Sequence, residues 1–145
     1  MSEIIIREIE EEDVDRGFLE VLDNLRLASD LDNSSAKVIL KKIIQDPNHM
    51  IHVAVNDDVI VGTTTLLIEQ KFIHNGGLVG HIEDVVVRKD CEGTGIGIKL
   101  VLSLLDYAKK KQCYKTILDC NDSVKPFYEK IGFKYESNCM RYNHN

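Results

Sequence analysis

With 145 residues, 43% hydrophobic and 29% charged, the chain has the composition of a soluble domain with one core, and no apolar run approaches the roughly 18 residues that cross a bilayer. A net charge of -6 without any basic block argues against a nucleic-acid footprint. The four cysteines, Cys91, Cys113, Cys120 and Cys139, lack C-x-x-C spacing and follow no signal peptide, so a reduced, cytoplasmic protein without metal or disulfides is expected.

Glu3 to Ile9 reads as a short first strand. The acidic cluster Glu10-Glu11-Glu12-Asp13 sits where a helix N-terminus favours negative charge. From Val14, the residues Phe18, Leu19, Val21, Leu22 and Leu25 recur at helical spacing and predict a helix of about four turns. Asn33-Ser34-Ser35 offers caps for a second helix, with Val38, Ile39 and Ile43 as its apolar face and Pro47 beyond its end. His49 to Val55 and Val59 to Ile68 are strand patterns joined by Asn56-Asp57-Asp58, a hairpin signal. An exposed loop from Glu69 to Gly77 then leads to a central strand starting at His81.

The rest of the chain is arranged around Ile82 to Gly97, reading IEDVVVRKDCEGTGIG. Ile82 and Val85-Val86-Val87 form a β-branched run that reads as buried strand. Gly93, Gly95 and Gly97 follow at alternate positions. A helical pattern comes next, roughly Ile98 to Gln112, with Val101, Leu104, Leu105 and Ala108 on one face and Lys109-Lys110-Lys111 in its last turn. A strand feeding a glycine-rich turn that opens a helix is a phosphate cradle, because glycine lets N–H groups converge and the helix end adds partial positive charge. A Walker A loop needs Gly-Lys-Ser/Thr where this chain has Gly97-Ile98-Lys99. A Rossmann fingerprint needs a long α/β region after G-x-G-x-x-G, whereas this G-x-G-x-G leaves space for about one more βαβ unit. A third pattern, Gln/Arg-x-x-Gly-x-Gly/Ala, matches Glu92 to Gly97 in spacing, and a glycine turn without ligand is the plain alternative.

Lys115 to Cys120 is another strand, and Asn121-Asp122-Ser123 caps a short helix holding Pro126, Phe127 and Tyr128 that Gly132 ends. Phe133 to Tyr142 gives a last strand. The order β-α-α-β-β-β-α-β-α-β describes one α/β layered domain over residues 1–145, around a mostly mixed sheet. Glu83, Asp84 and Asp119 are carboxylates in otherwise apolar strands, where burial is costly, so a functional task is expected for them.

The Glu92–Gly97 loop resembles the acetyl-CoA pyrophosphate loop of the GNAT N-acyltransferases, and Asn121-x-x-Val124-x-x-Phe127-Tyr128-Glu129-Lys130-Ile131-Gly132-Phe133 resembles a second segment of that family. Within it, Glu69-x-Lys71-x-Ile73-His74, Ile82-Glu83-Asp84-Val85 and Cys113-Tyr114-Lys115-x-x-Leu118-Asp119-Cys120 look like the glucosamine-6-phosphate N-acetyltransferases. With Arg16-Gly17-Phe18 and Val21-Leu22, the similarity reaches nearly the whole chain. It implies the GNAT acyltransferase fold, a central mixed, mostly antiparallel sheet flanked by helices. It implies acetyl transfer from acetyl-CoA to an amino-sugar phosphate, D-glucosamine 6-phosphate, on the route to UDP-N-acetylglucosamine, by a metal-free homodimer. Another small amine, a protein N-terminus, or a CoA-binding module without turnover are the alternatives.

The resemblance also assigns roles. Val85, Val86 and Val87 would pair with pantetheine through their backbone, and Gly93, Thr94, Gly95, Ile96, Gly97 and Ile98 with the pyrophosphate. Asn121 and Tyr128 would contact the cofactor, with Tyr128 giving a proton to the departing thiolate. Glu83, Asp84 and Asp119 would meet the sugar amine and hydroxyls, with Asp119 favoured to accept the amine proton. Adjacent strand residues face opposite ways, so Glu83 and Asp84 are not expected to use both side chains in one spot. Lys71, His74, Tyr114 and Lys115 match sugar-phosphate positions, in a family where strands of one subunit shape the other's site. Glu92 stands where the loop pattern has Gln or Arg, and is expected to turn away from the pyrophosphate or pair with Lys89. Arg26 replaces a small hydroxylated residue and is expected to read the phosphate, while Arg141 is shifted from the position of a phosphate-binding arginine. For each of these cations, plain solvation is the competing reading.

Overall fold

One sheet runs through the computed structural model, which describes residues 3–145. Its strands, in the order β1-β2-β3-β4-β5, are β1 (Ile5–Glu8), β2 (His49–Asn56), β3 (Val59–Gln70), β4 (Leu78–Val87) and β5 (Cys113–Ile117). The first four pair antiparallel, and β5 pairs parallel to β4, which is the mixed, mostly antiparallel sheet expected. The β2–β3 hairpin turns at Asp57 and Asp58, whose φ values of 48° and 62° are left-handed, the geometry that matches strand twist in a two-residue turn.

A parallel pair cannot be closed by a tight turn, so β4 and β5 are joined through α3 (Ile96–Lys110). Its stripe Ile96, Leu100, Val101, Leu104 and Ala108 is buried against the sheet. Gly62 of β3 lets the helix sit close, since a Cβ there would stand 2.9 Å from Leu100 Cδ1 and 3.1 Å from Ile96 Cγ2. The opposite face of the sheet carries α1 (Phe18–Leu22) and α2 (Asn33–Gln45), where Leu19, Val21, Ala36 and Leu40 pack with Val53 and Ile60. After β5 comes α4 (Lys125–Ile131), with Pro126 in its first turn and Gly132 at φ 120° beyond its end, as expected. Among the described residues no helix is long and apolar enough to cross a membrane, and no group of His, Cys, Asp or Glu could hold a metal ion.

Several elements depart from the sequence reading. The first helix does not run four turns: a 3-10 turn over Glu11–Arg16 ends at Gly17, whose φ of 98° breaks the path before the short α1. The central strand begins at Leu78 rather than His81, since its first residues pair with the end of β3. The last strand, Phe133 to Tyr142, does not form. A strand needs a neighbour, and an open groove of about 1340 Å³ separates this tail from β5.

The first loop is anchored by Asp13, which is fully buried. Arg7 donates to both of its carboxylate oxygens, at 2.7 and 2.8 Å, Arg16 donates at 3.1 Å, and the Glu10 N–H at 2.8 Å. Burial works to raise its pKa, but the bonds from Arg7, Glu10 and Arg16 outweigh it and hold the group below the ordinary 3.8. Because folding lowers this pKa, the stability it contributes is present above the unfolded value and is lost as pH falls through the folded one. Asp13→Asn is expected to cost about 3 kcal/mol at neutral pH, the scale for breaking a buried pair. The check is a shift of the urea midpoint, with the gap to the parent protein closing once acid protonates Asp13 itself.

Candidate active site

The β4–β5 pairing lasts only from Leu78↔Cys113 to His81↔Ile117. Beyond it β4 carries a bulge: Thr63 pairs with Val86 and Thr65 with Glu83, so Thr64 alone faces both Asp84 and Val85. Asp84 takes a left-handed φ of 51°, a strained value for a residue with a side chain, and Thr64 Oγ1 donates to the Glu83 carbonyl at 3.4 Å. The strands part here, and a cleft of about 850 Å³ opens between them.

At one end of the cleft lie Gly93, Gly95, Ile96, Gly97 and Ile98. Gly93 and Gly95 have φ values of 76° and 85°, and a Cβ at either would meet nothing within 4 Å, so backbone conformation rather than crowding demands glycine there. No side chain caps the start of α3, which leaves its first N–H groups facing the loop. Thr94 is not part of the lining: its hydroxyl donates to the Cys91 carbonyl at 2.5 Å. Glu92 does line the cleft, and among the described residues its carboxylate makes no ion pair, so the expected bond to Lys89 is absent.

Along the middle run Val85, Val86 and Val87, with Asn24 Nδ2 donating to the Val87 carbonyl at 2.7 Å. At the other end Glu83, Asp84, Asp119, Cys120, Asn121, Tyr128 and Cys139 come together. Glu83 and Asp84 both border the cleft, with the bulge at Asp84 and Val85 breaking the regular register there. The Glu83 pKa is raised by burial first, then by the neighbouring Asp119 and Asp84. Asp119 Oδ2 accepts from Cys139 Sγ at 3.5 Å, a bond that raises the thiol's pKa. Tyr128 stands edge-on to Phe127 and Phe133, at 4.9 and 5.8 Å between ring centroids. Burial pushes its pKa up, with Cys120 and Asp119 adding to the effect, so the phenol keeps its proton at neutral pH.

The phosphate-reading candidates are not brought together. Arg26 is exposed just after α1 and does not border the cleft, although its neighbours Asn24 and Leu25 do. Lys71, His74 and Tyr114 gather at the far end of β4, where the His74 ring stacks on Tyr114 at 3.9 Å and Lys71 Nζ lies 3.0 Å from Glu69. Lys115 stands over the Tyr114 ring at 6.0 Å and borders the groove beside the tail. Asn24, two residues before Arg26, bonds Val87 at one end of β4, whereas Tyr114 of the cluster lies in β5 where it pairs with the Leu78 end. Several cleft residues escaped the sequence reading, among them Asn24, Phe127 and Cys139. Asn24 and Cys139 carry no local signal, whereas Phe127 sits beside Tyr128 and is read as packing by any periodicity argument.

Comparison with known proteins gives a consistent result. The acetyltransferase (GNAT) family matches residues 7–133. A rice protein (Oryza sativa subsp. japonica) described as a probable glucosamine 6-phosphate N-acetyltransferase is 37% identical over 133 residues, covering 88% of this chain and 80% of that protein. The Arabidopsis thaliana glucosamine 6-phosphate N-acetyltransferase is 35% identical over 135 residues, 91% of each chain. The crystal structure of the Arabidopsis enzyme superposes with a TM-score of 0.95, over 99% of this chain and 100% of that one. A Trypanosoma brucei acetyltransferase superposes with a TM-score of 0.89 at 34% identity, over 97% of this chain and 99% of that one.

The cluster of like charges has a direct consequence. Asp119→Asn removes a carboxylate that helps raise Glu83, so the Glu83 pKa should fall toward the ordinary glutamate value. Carboxyl carbon NMR across an acid titration reads this, and an unmoved Glu83 would show that burial alone holds it up.

Proposed function

The chain belongs to the acetyltransferase (GNAT) family, and from that premise we propose that it transfers the acetyl group of acetyl-CoA to the amine of D-glucosamine 6-phosphate. The family supplies acetyl-CoA as co-substrate. Similarity to relatives named for this acceptor, over 88% and 91% of the chain, supports the choice of amino sugar. The observation that carries the reading is one cleft with unbonded amides at its glycine end and carboxylates with a protonated phenol at the other.

In this reading the amides from Gly93 to Ile98 hold the pyrophosphate, and the edge of β4 released by β5 holds pantetheine through Val85 to Val87. Asn121 and Tyr128 border the thioester end. Asp84 and Asp119 meet the sugar hydroxyls and amine, and Glu83 and Asp119 together form the base. Two close carboxylates bind one proton more readily than either does alone, which suits them to take it from the attacking amine. The new C–N bond forms as the C–S bond breaks, the Tyr128 hydroxyl gives its proton to the departing sulfur, and the proton held by the carboxylates leaves for solvent as the phenolate takes one up, so that both groups are restored. No step needs a metal or an oxidant.

The acceptor's phosphate is read by Arg26 in one subunit and by Lys71, His74, Tyr114 and Lys115 brought from a second copy. Two features support a homodimer. The tail after Gly132 is a strand pattern without a partner, and it holds Tyr135, Met140 and Tyr142 exposed beside the open edge of β5. Sedimentation equilibrium at micromolar concentration should give twice the chain mass of 16.5 kDa, and a monomer with full activity would remove the shared site.

Release of free CoA, followed with glucosamine, its 6-phosphate, its 1-phosphate and a peptide amine as acceptors, tests the function. Turnover should be highest with the 6-phosphate, and equal rates on unphosphorylated glucosamine would remove the phosphate from the site. Tyr128→Phe should lower kcat by about 10²-fold, in the range of a general acid, with little change in either KM. Full activity in that variant would return Tyr128 to packing alone.

A further inference from the structure

The edge of β4 that faces the cleft is not bare. Arg88, just after β4, donates its N–H to the Val61 carbonyl of β3 at 2.8 Å. Backbone groups along an antiparallel strand alternate between its two edges, so Val87 turns both its N–H and its carbonyl away from β3, to the cleft side. Asn24 meets that carbonyl from another part of the chain: its Nδ2 donates to it at 2.7 Å, across a separation of 63 residues. The acceptor that a ligand lying along β4 would use at Val87 is therefore already engaged, while the N–H beside it still faces the cleft.

A carboxamide does not simply block such an edge. It carries a donor and an acceptor side by side, so with Nδ2 on Val87 the Oδ1 atom offers a carbonyl one group further out. Asn24 itself borders the cleft, which puts that acceptor within reach of a ligand lying along β4. Its position is prepared by the turn after α1. Asn24 donates its N–H to the Val21 carbonyl at 3.2 Å, and Leu25 and Arg26 donate theirs to the Leu22 carbonyl at 2.8 and 2.9 Å. Asp23 Oδ1 accepts from the Ala28 and Ser29 N–H groups at 2.7 and 2.9 Å, which closes the turn. The next residue, Leu25, borders the cleft too and is 52% exposed, so an apolar surface lies beside the same path.

We infer that Asn24 is a cofactor-binding residue that hands the Val87 acceptor on to the pantetheine arm: Nδ2 stays on the Val87 carbonyl, and Oδ1 accepts an amide N–H of the arm. The inference rests on the cofactor site proposed above. The chemistry of the arm fits, because pantetheine carries secondary amides, each with one N–H and one carbonyl, and a pair of methyl groups. One amide carbonyl takes the Val87 N–H. A neighbouring amide N–H, enclosed once the cofactor fills the cleft, then needs an acceptor, and leaving it unpaired would cost more than an ordinary bond yields. Asn24 Oδ1 supplies that acceptor, and Leu25 gives the methyl groups an apolar wall. The edge of β4 and the turn after α1 are thus two sides of one channel. Because the turn is already closed by its own bonds, little ordering is left to be done when the cofactor arrives.

The test is calorimetric binding of CoA to the full chain, set against 3′-phosphoadenosine 5′-diphosphate, which is the same cofactor without its pantetheine arm. Asn24→Ala should weaken CoA about 5-fold, the size of one neutral hydrogen bond, and leave the truncated nucleotide unchanged. An equal loss on both ligands would make Asn24 a support of the cleft rim alone, and overturns the inference. Unchanged CoA affinity overturns it as well. So does tighter binding, which would mean that the carboxamide competes with the arm for Val87. A second measurement needs no variant. In the parent protein, CoA should shift the NMR signals of the Asn24 carboxamide while the truncated nucleotide leaves them in place, and equal shifts from both overturn the contact. Failure of the parent protein to bind CoA at all would instead reject the cofactor site, and the inference with it.

Discussion

The site exists because two strands that begin as a parallel pair separate after four registered residues. Parallel strands with a helical crossover leave a crevice beyond their carboxyl ends, and the crossover helix starts at that crevice. Here the bulge at Asp84 turns β4 away from β5, so the crevice becomes a cleft that reaches from the start of α3 to the start of α4. The same bulge frees one edge of β4 for a ligand while β3 keeps the other edge paired up to Val87. Backbone strain at Asp84 thus accompanies the opening of both halves of the cleft, the glycine-loop end and the carboxylate end.

That strain is sustained by what surrounds it. On one face Leu66 and Ile82 are buried against Val101 and Leu104 of α3, and on the other Val86 is buried with the α1–α2 layer. Gly62 brings α3 close enough that its N-terminus lies level with the cleft mouth. Asn24 ties the turn after α1 to the Val87 carbonyl, which fixes that rim of the cleft. Packing on both faces of the sheet is therefore what places the polar groups.

The fold was legible wherever the signal was local. The β2–β3 hairpin, the glycine loop, the amphipathic stripe of α3 and the Pro-to-Gly span of α4 all follow from neighbouring residues, and the structure has them with end shifts of a few residues. The reading failed where the outcome depended on distant partners. Gly17 looks harmless inside a helical pattern until its left-handed turn is needed to bring Asp13 under Arg7 and Arg16. The tail from Phe133 has the alternation of a strand, but alternation cannot say whether an edge lies within reach. At the site, Glu83, Asp84 and Asp119 were identifiable as polar groups in apolar surroundings and Tyr128 through the family resemblance, and all four border the same cleft. The bulge at Asp84 was not, because nothing in Ile82-Glu83-Asp84-Val85 announces an extra residue.

An acidic protein that receives two anions must supply positive potential locally, and this chain divides the task by chemistry. The glycine-loop end, where the pyrophosphate is proposed to sit, offers main-chain N–H groups and the α3 N-terminus, with no arginine or lysine among the residues that border the cleft. Glu92 at that end is tolerable for the same reason: an exposed carboxylate is well solvated, and converging amides do not depend on its identity. The proposed readers of the sugar phosphate are side-chain cations, Arg26 after α1 and the Lys71–Lys115 cluster at the Leu78 end of β4. Their separation within the monomer is an argument for the proposed homodimer, in which a second copy set against the open edge of β5 would bring both sets of cations to one phosphate.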